Sequence, residues 1–169
     1  MPTPLKPKYR LLTRSELQNL EKDFILFLAS QGISVDLWQR HLNSEPDRVH
    51  ELLIGFSDLI LEKAYRNCLL LEEVTNNGWL FYHFDDMNKV IELVGITLSQ
   101  SGTLNLQEMD RNSILEQIEN DQNSTFNLIR ARKPQQEDKV KEVDQMIKRG
   151  AFISQDHLLY EQLSKLVHD

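Results

Sequence analysis

Apolar residues recur at every third or fourth position through the first third of the chain, the spacing that lines one face of an α-helix. Thr13 and Glu16 open the first such run in the reciprocal pattern of a capping box. Leu17, Leu20, Phe24, Phe27 and Leu28 follow, and Gly32 supplies a stop. Its middle, "FILFLA", is apolar nearly all round, which predicts a central helix covered on more than one side. Ser34 is placed to cap a short second helix carrying Leu37, Trp38 and Leu42. Ser44, Pro46 and Asp47 then give a cap, a first-turn proline and an acid at the positive helix end. From there Val49, Leu52, Leu53, Phe56, Leu59 and Ile60 form a wide apolar stripe to about Ala64.

Past this helix the period drops from about 3.6 residues to two. "NCLLLEEV", "WLFYHFD" and "KVIELVGITL" are separated by "TNNG" and "DMN" and predict a three-stranded antiparallel meander. Asn77-Gly78 is a hairpin signal because both residue types tolerate positive φ. A four-residue turn over Asp86 to Lys89 pairs Asp85 with Val90, Phe84 with Ile91 and His83 with Glu92. Leu80, Tyr82, Phe84, Ile91 and Leu93 then share the face expected to meet the core, with Trp79, Phe81, His83, Asp85, Glu92 and Val94 on the other. Residues 99–123 are polar, and Ile114, Leu115 and Ile118 suggest one short helix among them. Residues 124–133, "STFNLIRARK", fit a fourth strand or a helical turn equally well. Val140, Val143 and Ile147 predict a helix closed by Gly150; Leu158, Leu159, Leu163, Leu166 and Val167 predict a last one capped by Ser154. The expected fold is α+β: N-terminal helices on a small three- or four-stranded antiparallel sheet, with a C-terminal helical hairpin. Its divisions are an arm over 1–12, a core over 13–136 and the hairpin over 137–169, within the same domain as the core.

Composition narrows the function classes. The 169 residues suffice for one domain, and a net charge of −7 disfavours general attraction to nucleic acid or anionic lipid. Cys68 is the only cysteine, so no internal disulfide can form; its apolar context suits a buried inert thiol. The start, "MPTPLKPKYRLL", is basic and proline-rich without an apolar signal core, and reads as a flexible or surface-hugging arm. No run approaches a membrane span, and the expected location is cytoplasmic.

"KYRLLTRSEL", "DFILFLASQGI", a tryptophan and "FSDLILEK" together resemble a family of short Bacteroidetes proteins of unknown function. The resemblance extends through the hairpin. It implies a cytoplasmic bacterial protein and brings no catalytic residue with it.

Two constellations could carry chemistry. His83, Asp85 and Glu92 converge at one end of the hairpin, and a nitrogen with two carboxylates could hold a divalent metal or tune a base, as in a small metal-dependent hydrolase. Turn residues and an ordinary cross-strand polar pair account for the same cluster. "RARK", Arg130 to Lys133, could clamp phosphates or carboxylates. With Lys6, Lys8 and Arg10 it would suit a factor associated with RNA, a ribosome or RNA polymerase. Glycine-rich phosphate loops and nucleophile elbows do not occur, and no cofactor is expected. The expectation is therefore a non-catalytic, protein-binding accessory component of a bacterial complex. Trp79, Phe81, Arg130, Arg132 and Lys133 are its contact residues, and a homo-oligomer is compatible with the same surfaces.

Overall fold

The structure is a computed structural model and describes residues 5–100 and 104–166. Pro2 and Pro4 of the arm and Val167 of the last apolar stripe lie outside the described residues. The chain forms two compact units, Met1–Ala64 and Tyr65–Asp169. The first is helical: α1 (Arg14–Asn19), α2 (Glu21–Ser30), α3 (Val35–Ser44) and α4 (Pro46–Arg66), whose last turn enters the second unit. The second holds β1 (Leu70–Val74), β2 (Gly78–Asp85), β3 (Val90–Leu98), α5 (Arg111–Glu119), β4 (Phe126–Pro134), α6 (Lys139–Lys148), β5 (Phe152–Ile153) and α7 (His157–Leu166). The fold is α+β, with one five-stranded antiparallel sheet in the order β4-β3-β2-β1-β5.

Local capping explains most helix starts. Thr13 accepts from the Glu16 N–H and Glu16 reaches back to the Thr13 N–H, as expected. Arg10 adds a forked ion pair to Glu16 at 2.7 and 2.6 Å. Chiefly through Arg10, the Glu16 carboxyl is held at about 2, below its ordinary 4.5. A depressed carboxyl stabilises the fold above its unfolded value and loses that contribution as pH falls towards 2. Arg10→Ala is expected to raise the Glu16 titration midpoint towards 4.5, readable by carboxyl NMR, with only a small change in acid stability because the pair is well exposed.

Ser34 caps α3, but Ser44 is its last residue rather than the next cap. Pro46 starts α4 without an N–H that needs a cap, and the Glu45 carbonyl accepts the first helical bond from Val49 N–H. Within the helical unit Leu28, Ile33 and Leu52 form a buried cluster, with Phe24, Phe27, Leu37 and Trp38 packed against it. α4 also buries Ile54 and Leu61, which lie off the expected stripe, whereas Leu59 of that stripe faces solvent.

In the sheet unit the β2–β3 register is the expected one, including His83 opposite Glu92. The β1–β2 turn differs. Thr75 N–H closes onto the Gly78 carbonyl at 2.8 Å, and positive φ is used at neither Asn77 nor Gly78. The carbonyls of Asn76 and Asn77 instead accept from Leu106 and Leu98, so tertiary bonds shape this turn. Residues 126–134 are a strand, which settles the ambiguity of the "STFNLIRARK" stretch. The C-terminal helical hairpin is corrected. "AFI" contributes β5, which pairs with β1, and a strand therefore separates α6 from α7. Lys139 and Glu142 of α6 reach Phe84 and Lys133 on one face of the sheet, while Tyr160 of α7 meets Phe81 and Glu92 on the other.

A contiguous apolar core lies on the face assigned to the back. Trp79, Phe81, Val94 and Ile96 are buried with Ile114 of α5 and Leu159 and Leu163 of α7. Gly95, at the strand centre, is required by close approach: a Cβ there would lie 2.3 Å from the Trp79 carbonyl oxygen and 2.9 Å from the Leu80 Cα.

Candidate functional site

The hairpin end came together as the register demanded, but its two carboxylates are engaged. Asp85 accepts from the Met87 and Asn88 N–H groups and from the Asn88 side chain at 2.6 Å. Those bonds, led by the Asn88 side chain, hold its carboxyl below the usual range. Burial pushes Glu92 up, yet its ion pair with Arg132 and the Tyr160 hydroxyl at 3.1 Å bring it below its ordinary value. His83 stacks on the Tyr160 ring at 5.2 Å. Among the described residues, no group of three or more His, Cys, Asp or Glu is placed to hold a metal ion. The arrangement can brace a turn and tie α7 to β3. Of the remaining histidines, His41 is buried on α3, His50 lies on α4, and His157 starts α7.

Trp79 and Phe81 need correction as contact residues. Both are 0% exposed beneath α5 and α7, so the chain itself covers the face and no partner reaches them. Their neighbourhood contains a group the sequence reading passed over. Glu72 is also 0% exposed and gathers three donors: Trp79 Nε1 at 2.9 Å, Ser154 Oγ at 2.9 Å and the Arg111 guanidinium at 2.9 Å. One carboxylate thus joins β1 and β2 to α5 and to the entry of α7. Ser154 was expected as the cap of α7; its hydroxyl donates instead to Glu72, and Asp156 caps by accepting from Leu159 N–H. An open recess of about 340 Å³ adjoins Trp79 and Arg111, but the guanidinium at its rim is already paired with Glu72 and Asp156.

The RARK residues lie on β4, an edge of the sheet. Arg132 pairs with Glu92 and Lys133 with Glu142, yet their side chains remain 67% and 51% exposed. Burial pushes Glu142 up, but the Gln136 and Glu137 N–H groups and Lys133 hold it below its usual range.

The arm is not a free tail over its described part. Lys8 and Tyr9 N–H donate to the Asp58 carboxylate at 3.0 and 3.2 Å, Lys8 Nζ meets Glu62 at 2.8 Å, and Leu12 is buried with its N–H on Ser57. The arm therefore runs along α4, and Lys8 and Arg10 are neutralised by acids of the same unit.

The family model of DUF6495, a family of unknown function, matches residues 7–168. The chain belongs to that family. No curated protein matches it, and no solved structure does.

In this DUF6495 chain, α2 departs most from expectation. Of "FILFLA" only Leu28 is buried, while Ile25 and Leu26 are 56% and 68% exposed and Ala29 is exposed one turn on. Apolarity all round the helix was legible; the one-sided cover was not. Glu72 had a weaker signal. In "LLLEEV" it alternates with Leu70 and Val74, so the period alone aims a carboxylate inward.

Proposed function

We propose that this DUF6495 protein is a non-catalytic, protein-binding accessory component of a larger complex in the bacterial cytoplasm. The observation that carries the reading is the outer face of α2. A helix that already commits Phe24, Phe27 and Leu28 to its own core also presents Ile25, Leu26 and Ala29 to solvent. Contiguous apolar surface of this kind gains by desolvation against another protein, at roughly 25 cal/mol per Å² of apolar area removed from water. The acidic net charge supports a protein partner over a phosphate backbone, and the pairing of Lys8 and Arg10 weakens the RNA-associated reading further. The engaged oxygens of Asp85 and Glu92 weigh against the metal-dependent hydrolase.

The test is a double substitution, Ile25→Ser with Leu26→Ser. The tagged wild-type protein, isolated from its native host, is expected to hold a stoichiometric protein partner. The variant should lose it by about tenfold or more in affinity. Because both side chains are exposed, the unfolding midpoint should barely move. Wild-type protein that runs alone, or a variant that keeps the partner, would defeat the reading.

A further inference from the structure

The edge strand β4 combines three features that bear on binding. The first is the direction of its backbone. Ser99 N–H donates to the Thr125 carbonyl and Gln135 N–H to the Lys89 carbonyl, each at 2.8 Å, and these bonds bracket the β3–β4 ladder. By antiparallel alternation the odd-numbered residues of β4 turn their N–H and C=O groups to β3, and the even-numbered ones turn theirs away. Leu128, Arg130 and Arg132 therefore direct backbone groups outward.

The second feature is a stop at each end. Phe126 N–H is taken by Asp121 Oδ2 at 2.9 Å, and such backbone donors hold that carboxyl below its ordinary range. Pro134, at the other end, has no N–H to offer. The stretch left to receive a strand is centred on residues 128–132. The opposite edge, β5, is only two residues long.

The third feature is charge. Arg130 and Arg132 share a face with Leu128, and Lys133 projects from the other. A second copy of the chain paired about Arg130 would set that cation against itself, and like charges directly opposite destabilise a pair. The same cations favour a strand bearing carboxylates. Arg132 keeps donors beyond its contact with Glu92, since a guanidinium carries five N–H groups.

We infer that the β4 edge binds an extended acidic segment of a partner protein by strand addition, with backbone bonds to Leu128 and Arg132, carboxylates beside Arg132 and Lys133, and an apolar side chain beside Leu128. This deepens the protein-binding reading and rests on it. Main-chain bonds supply affinity in this mode, and the alternate side chains supply selection. On a chain of net charge −7, the exposed cationic heads of Arg132 and Lys133, each already meeting one carboxylate, give an acidic segment a local attraction at this edge.

The experiment titrates the full chain with a synthetic strand-forming peptide, followed by backbone amide NMR, beside a peptide with lysines in place of its glutamates. The peptide bears two adjacent glutamates and a valine four residues away, so that carboxylates can meet both Arg132 and Lys133 and the valine Leu128. The glutamate peptide should shift amides within 126–134, and its affinity should fall about tenfold or more between roughly 0.05 M and 0.5 M salt. The lysine peptide should not bind. Leu128→Pro removes an outward N–H while leaving the bonds to β3, and proline is tolerated at such an edge position; it should lose binding by about tenfold. Arg132→Glu, which keeps the backbone intact, should do the same. Binding unchanged in either variant, equal binding of the lysine peptide, or shifts centred elsewhere overturns the inference. Retention of the host partner by Leu128→Pro together with its loss from the α2 double variant would sink the edge alone. Retention by the α2 double variant would sink the protein-binding reading as stated above, and retention by both variants would sink the edge with it.

Discussion

Trp79→Ala is expected to cost about 3–5 kcal/mol of folding stability, the range for deleting a large aromatic from a packed core. The indole lies at 0% exposure on β2, its ring 5.7 Å from that of Phe81, under Ile114, Leu159 and Leu163. Two elements, α5 and α7, would have to move inward to refill the space, and each is held by its own backbone bonds. Equilibrium unfolding in urea, comparing midpoint and slope with wild type, measures the cost. The number also discriminates between roles. A tryptophan exposed for docking would change stability by no more than about 0.5 kcal/mol when truncated. Trp79→Phe keeps most of the apolar volume and removes only the donor to Glu72, so it should cost roughly 1–3 kcal/mol.

The second large effect is expected at Glu72. Glu72→Ala should destabilise the fold by about 2–4 kcal/mol, because it strands two buried donors, Trp79 Nε1 and Ser154 Oγ, at roughly 1–3 kcal/mol each before relaxation. Arg111 adds little to that figure, since its half-exposed guanidinium can turn to water and keeps Asp156 nearby. Glu72→Gln retains an acceptor for the indole and should recover more than half of the loss. Amide exchange gives an independent reading. Ser154 N–H, bonded to the Leu70 carbonyl at 3.0 Å, should exchange faster in the alanine variant as β5 loosens from β1. Equal costs for alanine and glutamine would show that burial of the side chain, rather than its hydrogen bonds, is what matters.

Much of the secondary structure was legible from local chemistry. The Thr13–Glu16 box, the Ser34 cap and the Asp86 to Lys89 turn each depend on residues within a few positions of one another, and all stand where the pattern put them. The errors share one cause. Ser44, Ser154 and the Asn77-Gly78 pair carry the right side chains for a cap or a tight turn, but other groups took those roles. Pro46 opened its helix with no N–H to cap, Asp156 received Leu159, and Leu98 and Leu106 recruited the turn carbonyls. Local preferences of about 1 kcal/mol are easily overridden by a buried carboxylate or a sheet bond.

The alternation of side chains by itself determined which residues share a face, and so brought His83, Asp85 and Glu92 together in the expected register. It left open whether the C-terminal helices or another protein would cover the face bearing Trp79 and Phe81, since both faces carry aromatic and aliphatic groups. Only the tertiary structure decided that α5 and α7 close over Trp79 and Phe81, that "AFI" adds a fifth strand, and that α2 leaves Ile25 and Leu26 in solvent. The physical reason is that periodicity is a property of neighbours along the chain. Cover depends on segments as distant as Glu72 and Ser154, and no local pattern records which of them will meet.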